Sequence, residues 1–264
     1  MSAVSHFVME PKGVLRRYVR EILWVHSQAP RVQVLLPETA LTMALRLSGS
    51  ASLQRAVLPG AVVSGHQETT RLVEHAANSS LLIVRFTEVG ASAILHDRAD
   101  LLYNRMEALD GVLPHRDAED LQGLLAETVG LREQIRVVER FLLGRLRTED
   151  RVPVPIERAA RMLLESQGTT SIVALARAVG MSQSALERHF RATVGTTPKM
   201  LARLARLQGM CRLWDAGKSL TEIAADAGYS DQSHMVRDFR SFTGIAPKKF
   251  FQSGFSRNLP TFYK

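Results

Sequence analysis

Two short stretches carry side chains suited to reading and holding a polyanion. One runs Ser182-Gln183-Ser184-Ala185-Leu186-Glu187-Arg188-His189-Phe190-Arg191. The other runs Ser230-Asp231-Gln232-Ser233-His234-Met235-Val236-Arg237-Asp238-Phe239-Arg240. A guanidinium such as Arg188 or Arg237 presents a planar fork of donors that fits the paired acceptors of a guanine edge. The Gln232 carboxamide suits adenine, and the Glu187 carboxylate can accept from a cytosine amine. Glu187 has a second use, an intrahelical ion pair with Arg191 four residues on, and both uses stay open. Lys199, Lys248 and Lys249 follow prolines where helices begin. With the backbone N–H groups after Ser182 and Ser230, they are phosphate candidates; solvated lysine is the plain alternative for each.

These side chains need rigid elements behind them, and the sequence supplies the same element twice. Leu175-Ala176-Arg177-Ala178-Val179-Gly180-Met181-Ser182 matches Ile223-Ala224-Ala225-Asp226-Ala227-Gly228-Tyr229-Ser230 at an offset of 48. After a slip of one residue, Leu186, Arg188, Phe190, Arg191, Gly195, Pro198 and Lys199 match Met235, Arg237, Phe239, Arg240, Gly244, Pro247 and Lys248. In the first copy Ser171 is placed to cap a helix with Ile172, Leu175, Ala176 and Val179 inward. Gly180 ends it with a positive φ, and Ser182 caps the next helix, where Leu186 and Phe190 share a face. In the second copy Ser219 and Glu222 have capping-box spacing, Gly228 ends the helix, and Ser230 is expected to cap its successor. Helix, glycine turn and helix describe a helix-turn-helix; a generic bundle of helical hairpins is the bland reading. Residues 197–216 read as one long helix joining the copies, with Met200, Leu201, Leu204, Leu207, Met210, Cys211 and Trp214 apolar. A rigid spacer of that kind can present two readers to successive major-groove faces.

Charge separates the chain in the same way. Residues 1–152 hold 18 basic and 18 acidic side chains, whereas residues 153–264 hold 16 basic and 8 acidic ones, so the whole formal charge of +8 sits in the second part. An anionic partner, nucleic acid or a membrane surface, is implied. No stretch has the roughly 20 apolar residues of a membrane helix, and residues 1–10 lack the pattern of a secretory leader. A single cysteine, Cys211, rules out an internal disulfide and multi-cysteine metal sites and fits a reducing cytoplasm.

The duplicated module resembles the DNA-binding domain of the AraC/XylS family of bacterial transcription regulators over about residues 153–253. The residues that carry the resemblance are Leu175 to Phe190, the long helix, and Ile223 to Arg240 followed by Phe242-Thr243-Gly244-Ile245-Ala246-Pro247-Lys248-Lys249-Phe250. The resemblance implies seven helices, with two recognition helices entering neighbouring major-groove segments. It further implies base contacts at Ser184, Glu187, Arg188, Gln232, Ser233 and Arg237. Gln183 on the outward face joins that set, and Ser182, Arg191, Lys199, Ser230, Arg240, Lys248 and Lys249 form the phosphate set.

Residues 1–95 read mostly as strands, over Ile22–Val25, Val32–Leu36, Leu41–Leu47, Ala61–Ser64, Thr70–Glu74 and Leu81–Phe86, punctuated by proline, glycine and asparagine. That spacing suggests a small barrel or jelly roll. Helices follow at 118–129 and 131–146, the second a cap on the strands or a dimer contact. Thr148 to Pro155 reads as an extended connector, which puts the domain boundary between 152 and 153. Trp24, Leu35-Leu36-Pro37-Glu38, Val63-Ser64-Gly65-His66-Gln67 and Val84 to Gly90 resemble the cupin-like effector domain of many family members. The expected fold is therefore α+β: a cupin-like β-rich barrel with helices at 1–152, then an all-α pair of helix-turn-helix modules at 153–264.

Nothing in this half reads as an active site. His6, His26, His66, His75, His96 and His115 are scattered, with only His66, Glu68 and His75 as neighbours to consider for a metal, and no phosphate loop or nucleophile elbow is present. The expectation is a non-enzymatic cytoplasmic regulator without metal or cofactor. Its candidate partners are double-stranded DNA, a small-molecule effector, RNA polymerase and a second copy of the chain. An effector-independent or architectural DNA binder, whose first half only oligomerises, is the alternative.

Overall fold

The computed structural model describes residues 4–96, 98–146 and 152–252. Ten strands come first: β1 (Val4–Met9), β2 (Val19–Ser27), β3 (Arg31–Leu35), β4 (Thr42–Ser48), β5 (Ala51–Leu53), β6 (Ala56–Val57), β7 (Ala61–Ser64), β8 (Arg71–His75), β9 (Ser79–Phe86) and β10 (Met106–Ala108). Helix α1 (Gly90–Leu95) precedes β10, and α2 (His115–Glu127) and α3 (Leu131–Arg145) follow it. Seven helices complete the described chain: α4 (Val154–Glu165), α5 (Ile172–Ala178), α6 (Gln183–Val194), α7 (Pro198–Asp215), α8 (Leu220–Asp226), α9 (Gln232–Thr243) and α10 (Pro247–Gln252).

The expected α+β class holds, but the strands do not close into a barrel. They form a six-stranded antiparallel sheet in the order β1-β2-β9-β4-β7-β10 and a four-stranded one in the order β3-β8-β5-β6. Strands β1, β10, β3 and β6 are left as edges. Alternation along the central strands sorts side chains to two faces. Ile22, Met43, Leu45, Val63, Leu82, Val84 and Phe86 point to a core completed by Ile94 of α1, Leu121 and Leu125 of α2, and Ile135, Val138 and Leu142 of α3. Helix α3 is thus a cap on the sheet. The intervening residues, among them Leu23, Ala44, Val62 and Ile83, line a cavity shared with the smaller sheet.

Two other expectations need correction. Pro153 and Pro155 begin a helix rather than an extended connector, with Pro153 at the N-cap of α4 and Pro155 in its first turn. Proline lacks the N–H that a first turn leaves unpaired, so this position costs nothing. The rest of the expected connector, 148–151, lies outside the described residues. The four strands absent from the sequence reading (β1, β5, β6 and β10) are short or, in the case of β1, mostly exposed. They lack the apolar alternation that marked the others.

The two halves share their cores. Val34 and Leu36 from β3 and its end pack among Leu207, Tyr229, Phe239 and Phe242. Val89 and Ala93 join Leu163, Leu186, Phe190 and Val194. At the ~25 cal/mol per Å² of buried apolar surface, contacts of this kind hold the helical part against the strands.

Candidate nucleic-acid interface and ligand cavity

The helices of both modules are built by local chemistry. The Ser171 and Ser182 hydroxyls accept from the N–H groups of Ala174 and Ala185, capping α5 and α6. Ser219 and Glu222 form the expected capping box on α8. Gly180 and Gly228 adopt φ of +70° and +71° in the two turns, a region open to glycine and costly for other residues. The N-cap of α9 corrects the sequence reading. It is Asp231, not Ser230, that accepts from the His234 N–H at 2.7 Å. The Ser230 hydroxyl instead donates to the Asp231 carboxylate at 3.1 Å. Hydrogen bonding holds the Asp231 carboxyl below its usual range, so the start of α9 already has an anion on it.

The inner faces of both helices are sealed. Leu186, Phe190 and Val194 of α6 and Met235, Phe239 and Phe242 of α9 are buried. The outer faces carry the predicted side chains: Gln183, Ser184, Glu187, Arg188 and Arg191 on α6, and Gln232, Ser233, Arg237 and Arg240 on α9, are all exposed. Lys199, Lys248 and Lys249 are exposed at the starts of α7 and α10. Glu187 accepts from Arg191 at 2.8 Å, so the intrahelical pair exists in the free protein. The Gln232 amide oxygen accepts from Thr221 at 3.4 Å. Between the modules, α7 runs 18 residues, about 27 Å at 1.5 Å per residue.

A second network escaped the sequence reading. Arg203 of α7 donates to Asp238 at 2.8 Å and to the Ser241 hydroxyl at 2.7 Å, and its guanidinium lies 4.5 Å from the centre of the Phe242 ring. Tyr229 donates to the other Asp238 oxygen at 2.7 Å. Burial and the adjoining carboxylate push the Tyr229 phenol upward. Asp238 is thus the fastener between α9 and the spacer. Its place next to Arg237, on the inward side of the helix, is the one sequence clue to that role. Cys211 is buried on α7, with its thiol pushed up by desolvation, and belongs to the core.

The loop from Gly65 to Thr70 ties these helices to the strands. His66 is buried, with Nε2 2.8 Å from the Val194 carbonyl and Nδ1 3.0 Å from the Glu38 carbonyl. Thr70 donates its N–H to the Phe242 carbonyl at 2.8 Å and its hydroxyl to the same oxygen at 3.1 Å. One loop therefore touches the carboxyl ends of α6 and α9 alike. On its other side the loop lies against Leu102, and only glycine fits at position 65, because a Cβ there would fall 1.9 Å from the Leu102 carbonyl oxygen.

The cavity between the sheets has an empty volume of about 760 Å³, its open mouth included. Most of its wall is apolar. Its charged lining residues are Glu38, Arg46 and Arg85, and Glu38 also supplies the carbonyl that meets His66. No group of three or more His, Cys, Asp or Glu suited to a metal occurs among the described residues. No described helix is long and apolar enough to cross a membrane.

Comparison with known proteins places this arrangement. Residues 175–253 match the family described as "Helix-turn-helix domain". The bifunctional transcriptional activator/DNA repair enzyme Ada of Escherichia coli is 34% identical over 92 residues, which cover 35% of this chain and 26% of that protein. The transcriptional activator RhaS of Pectobacterium carotovorum is 37% identical over 73 residues, 27% of this chain and 26% of that one. The chain thus spans about a quarter of the length of these curated relatives. Among solved structures, ToxT from Vibrio cholerae aligns over 95% of this chain and 98% of its own, at 14% identity and a TM-score of 0.48. Residues 175–253 are thus a helix-turn-helix domain of the AraC/XylS type, and over part of its length the chain is similar to known transcriptional activators.

Proposed function

We propose that the chain is a sequence-specific, non-enzymatic DNA-binding regulator of the cytoplasm. Residues 153–264 read the major groove, and residues 1–152 bind a small effector that governs the reading. The observation that supports this most is the pair of equivalent arginines, Arg188 and Arg237, exposed on two helices whose opposite faces are buried. In this reading Gln183, Ser184, Glu187, Gln232 and Ser233 contact bases beside them. Ser182, Arg191, Lys199, Ser230, Arg240, Lys248 and Lys249 hold phosphates. The cavity between the sheets receives the effector, and the shared loop at 65–70 is the route from effector to helices. RNA polymerase and a second copy of the chain are further partners in this proposal.

Genome-wide footprinting of the full chain, with and without a metabolite library, tests both parts together. Discrete protected sites whose occupancy changes with a metabolite support the reading. Discrete sites that no metabolite alters support the effector-independent alternative. Uniform, sequence-blind protection overturns base reading.

A further inference from the structure

The cavity between the two sheets is electrically lopsided. Arg85, opposite Thr42 at one end, donates to Glu21 at 2.7 Å and to Glu38 at 2.7 and 3.1 Å. That end carries two carboxylates for one guanidinium. Arg46 lies opposite Leu81, four residues further along β9, which sets it about 13 Å away along the strands. It is the charged residue lining the other end, with Arg31 behind it beside His75, and its two terminal nitrogens donate only to main-chain carbonyls, those of Leu58 at 3.1 Å and Pro59 at 3.2 Å. No carboxylate among the described residues pairs with it, its Nε is buried without a partner, and desolvation pulls its pKa down. A cation in this condition gains from any anion that reaches it.

A second polar atom goes unused at the same end. His75 is buried, and its Nε2 lies 2.9 Å from the Gln33 amide oxygen. With Nε2 donating to that oxygen, Nδ1 is a lone-pair acceptor without a partner; it offers nothing to a carboxylate, which only accepts, so the head group of an anion is held by Arg46 and not by His75. Between the two ends the wall is apolar, formed by Leu23, Ala44, Val62, Leu81 and Ile83.

We infer that this cavity takes an amphipathic monoanion, with a carboxylate head on Arg46 and an apolar body lying towards Ile83 and Leu23. The inference rests on the reading of residues 1–152 as the effector-binding part and adds the charge, polarity and orientation of the ligand. A carboxylate placed the other way round would meet the excess negative charge of Glu21 and Glu38. A neutral ligand would leave Arg46 desolvated and uncompensated, and an ammonium head would be repelled there.

The test uses the full chain with matched ligand sets that share one four- to ten-carbon body, straight or aryl-terminated, and differ only in head group: carboxylate, alcohol or ammonium. Thermal shift identifies the bodies that fit, because a ligand of the native state raises its melting point. Calorimetry then compares heads. The carboxylate should bind at least about tenfold more tightly than its alcohol, as a charge-assisted pair predicts, and Arg46→Gln should erase that preference, so that the two heads bind alike. Arg46→Lys keeps the charge without the guanidinium fork and should retain the preference, which separates loss of charge from loss of fold. An alcohol or amine that binds as tightly as the carboxylate overturns the inference and leaves ligand control standing. So does carboxylate binding indifferent to Arg46→Gln. Silence from every head group, together with footprints that no metabolite alters, overturns both.

Discussion

The imidazole Nε2 of His66 lies 2.8 Å from the carbonyl oxygen of Val194, the last residue of α6, across 128 residues of sequence. The other ring nitrogen faces the Glu38 carbonyl, and the Glu38 carboxylate is bound to Arg85 in the cavity wall. Cavity, loop and helix end are therefore linked through two side chains. Leaving a buried carbonyl without its donor costs about 1–3 kcal/mol. His66→Phe should destabilise the chain by that amount and speed amide exchange at the end of α6, with a smaller effect on α9, which Thr70 still holds. Hydrogen-exchange mass spectrometry reads this directly; unchanged protection near Val194 would show that the contact holds nothing.

The same ring makes a prediction about acidity. A neutral imidazole donates from one nitrogen only, so the two carbonyls favour a second proton. Burial opposes that proton more strongly, and the His66 pKa is lowered on balance. His75 is also lowered, to about 4, by burial first and then by Arg31 and Arg46. A group that binds its proton more weakly when folded stabilises the fold above its ordinary pKa and withdraws that stability as pH falls. Both histidines thus contribute fully above about pH 6.5, the ordinary histidine value. Between there and about pH 4, His75 alone should remove roughly 3 kcal/mol. Urea denaturation at pH 7 and pH 4.5 measures the loss, and His75→Gln should flatten it.

Much of the helical part is legible in the sequence because its determinants are local. Ser171, Ser182 and Ser219 cap the helices they precede, and Gly180 and Gly228 close the turns. The Ser230 cap was displaced by one residue because Asp231, with a stronger acceptor, lies beside it. The strand half yields less. The central strands show their apolar alternation, while β5 and β10 rest on β8 and β7, remote in the chain, and β1 and β6 are edge strands, paired only to their sequence neighbours β2 and β5. The contacts of His66 with Val194 and of Thr70 with Phe242 have no sequence signature at all. Nothing near position 66 announces a carbonyl 128 residues on.

Base reading and phosphate holding separate by mutation. Arg188→Ala and Arg237→Ala should each cost about 1–3 kcal/mol of binding and relax preference at a few adjacent base pairs. Lys199→Ala should weaken matched and scrambled sites alike and shorten the log–log salt slope by about 0.9. Mobility-shift titrations at several salt concentrations distinguish the two behaviours. An equal loss on both sites for Arg188→Ala would assign that side chain to the backbone instead.

Glu187 and Arg191 are exposed and paired in the free protein, a contact worth only a few tenths of a kcal/mol on a helix. The pair can therefore open at little cost, and under the proposed function that frees Glu187 for a cytosine amine and Arg191 for a phosphate. Glu187→Gln should leave thermal stability nearly unchanged and alter preference at one base pair of the site. If the only effect is a uniform gain in affinity, from removing a negative charge near the phosphates, then Glu187 serves Arg191 and reads nothing.

Asp238 sets the position of α9 by a different route, since it touches Arg203 and Tyr229 rather than solvent. Its side chain is only 10% exposed, so Asp238→Ala leaves Arg203 without its anion and Tyr229 without its acceptor. Removing one partner of a buried pair costs about 3–5 kcal/mol. That figure is an upper bound here, because Arg203 is 26% exposed. The loss should fall on contacts made by Gln232, Ser233 and Arg237 together, while those of Arg188 persist. Footprinting would then show protection retained over one half of the site and lost over the other. Asp238→Asn, which keeps an acceptor for Tyr229, should restore part of the missing half; uniform weakening of both halves would place Asp238 in general stability rather than in the aim of the second helix.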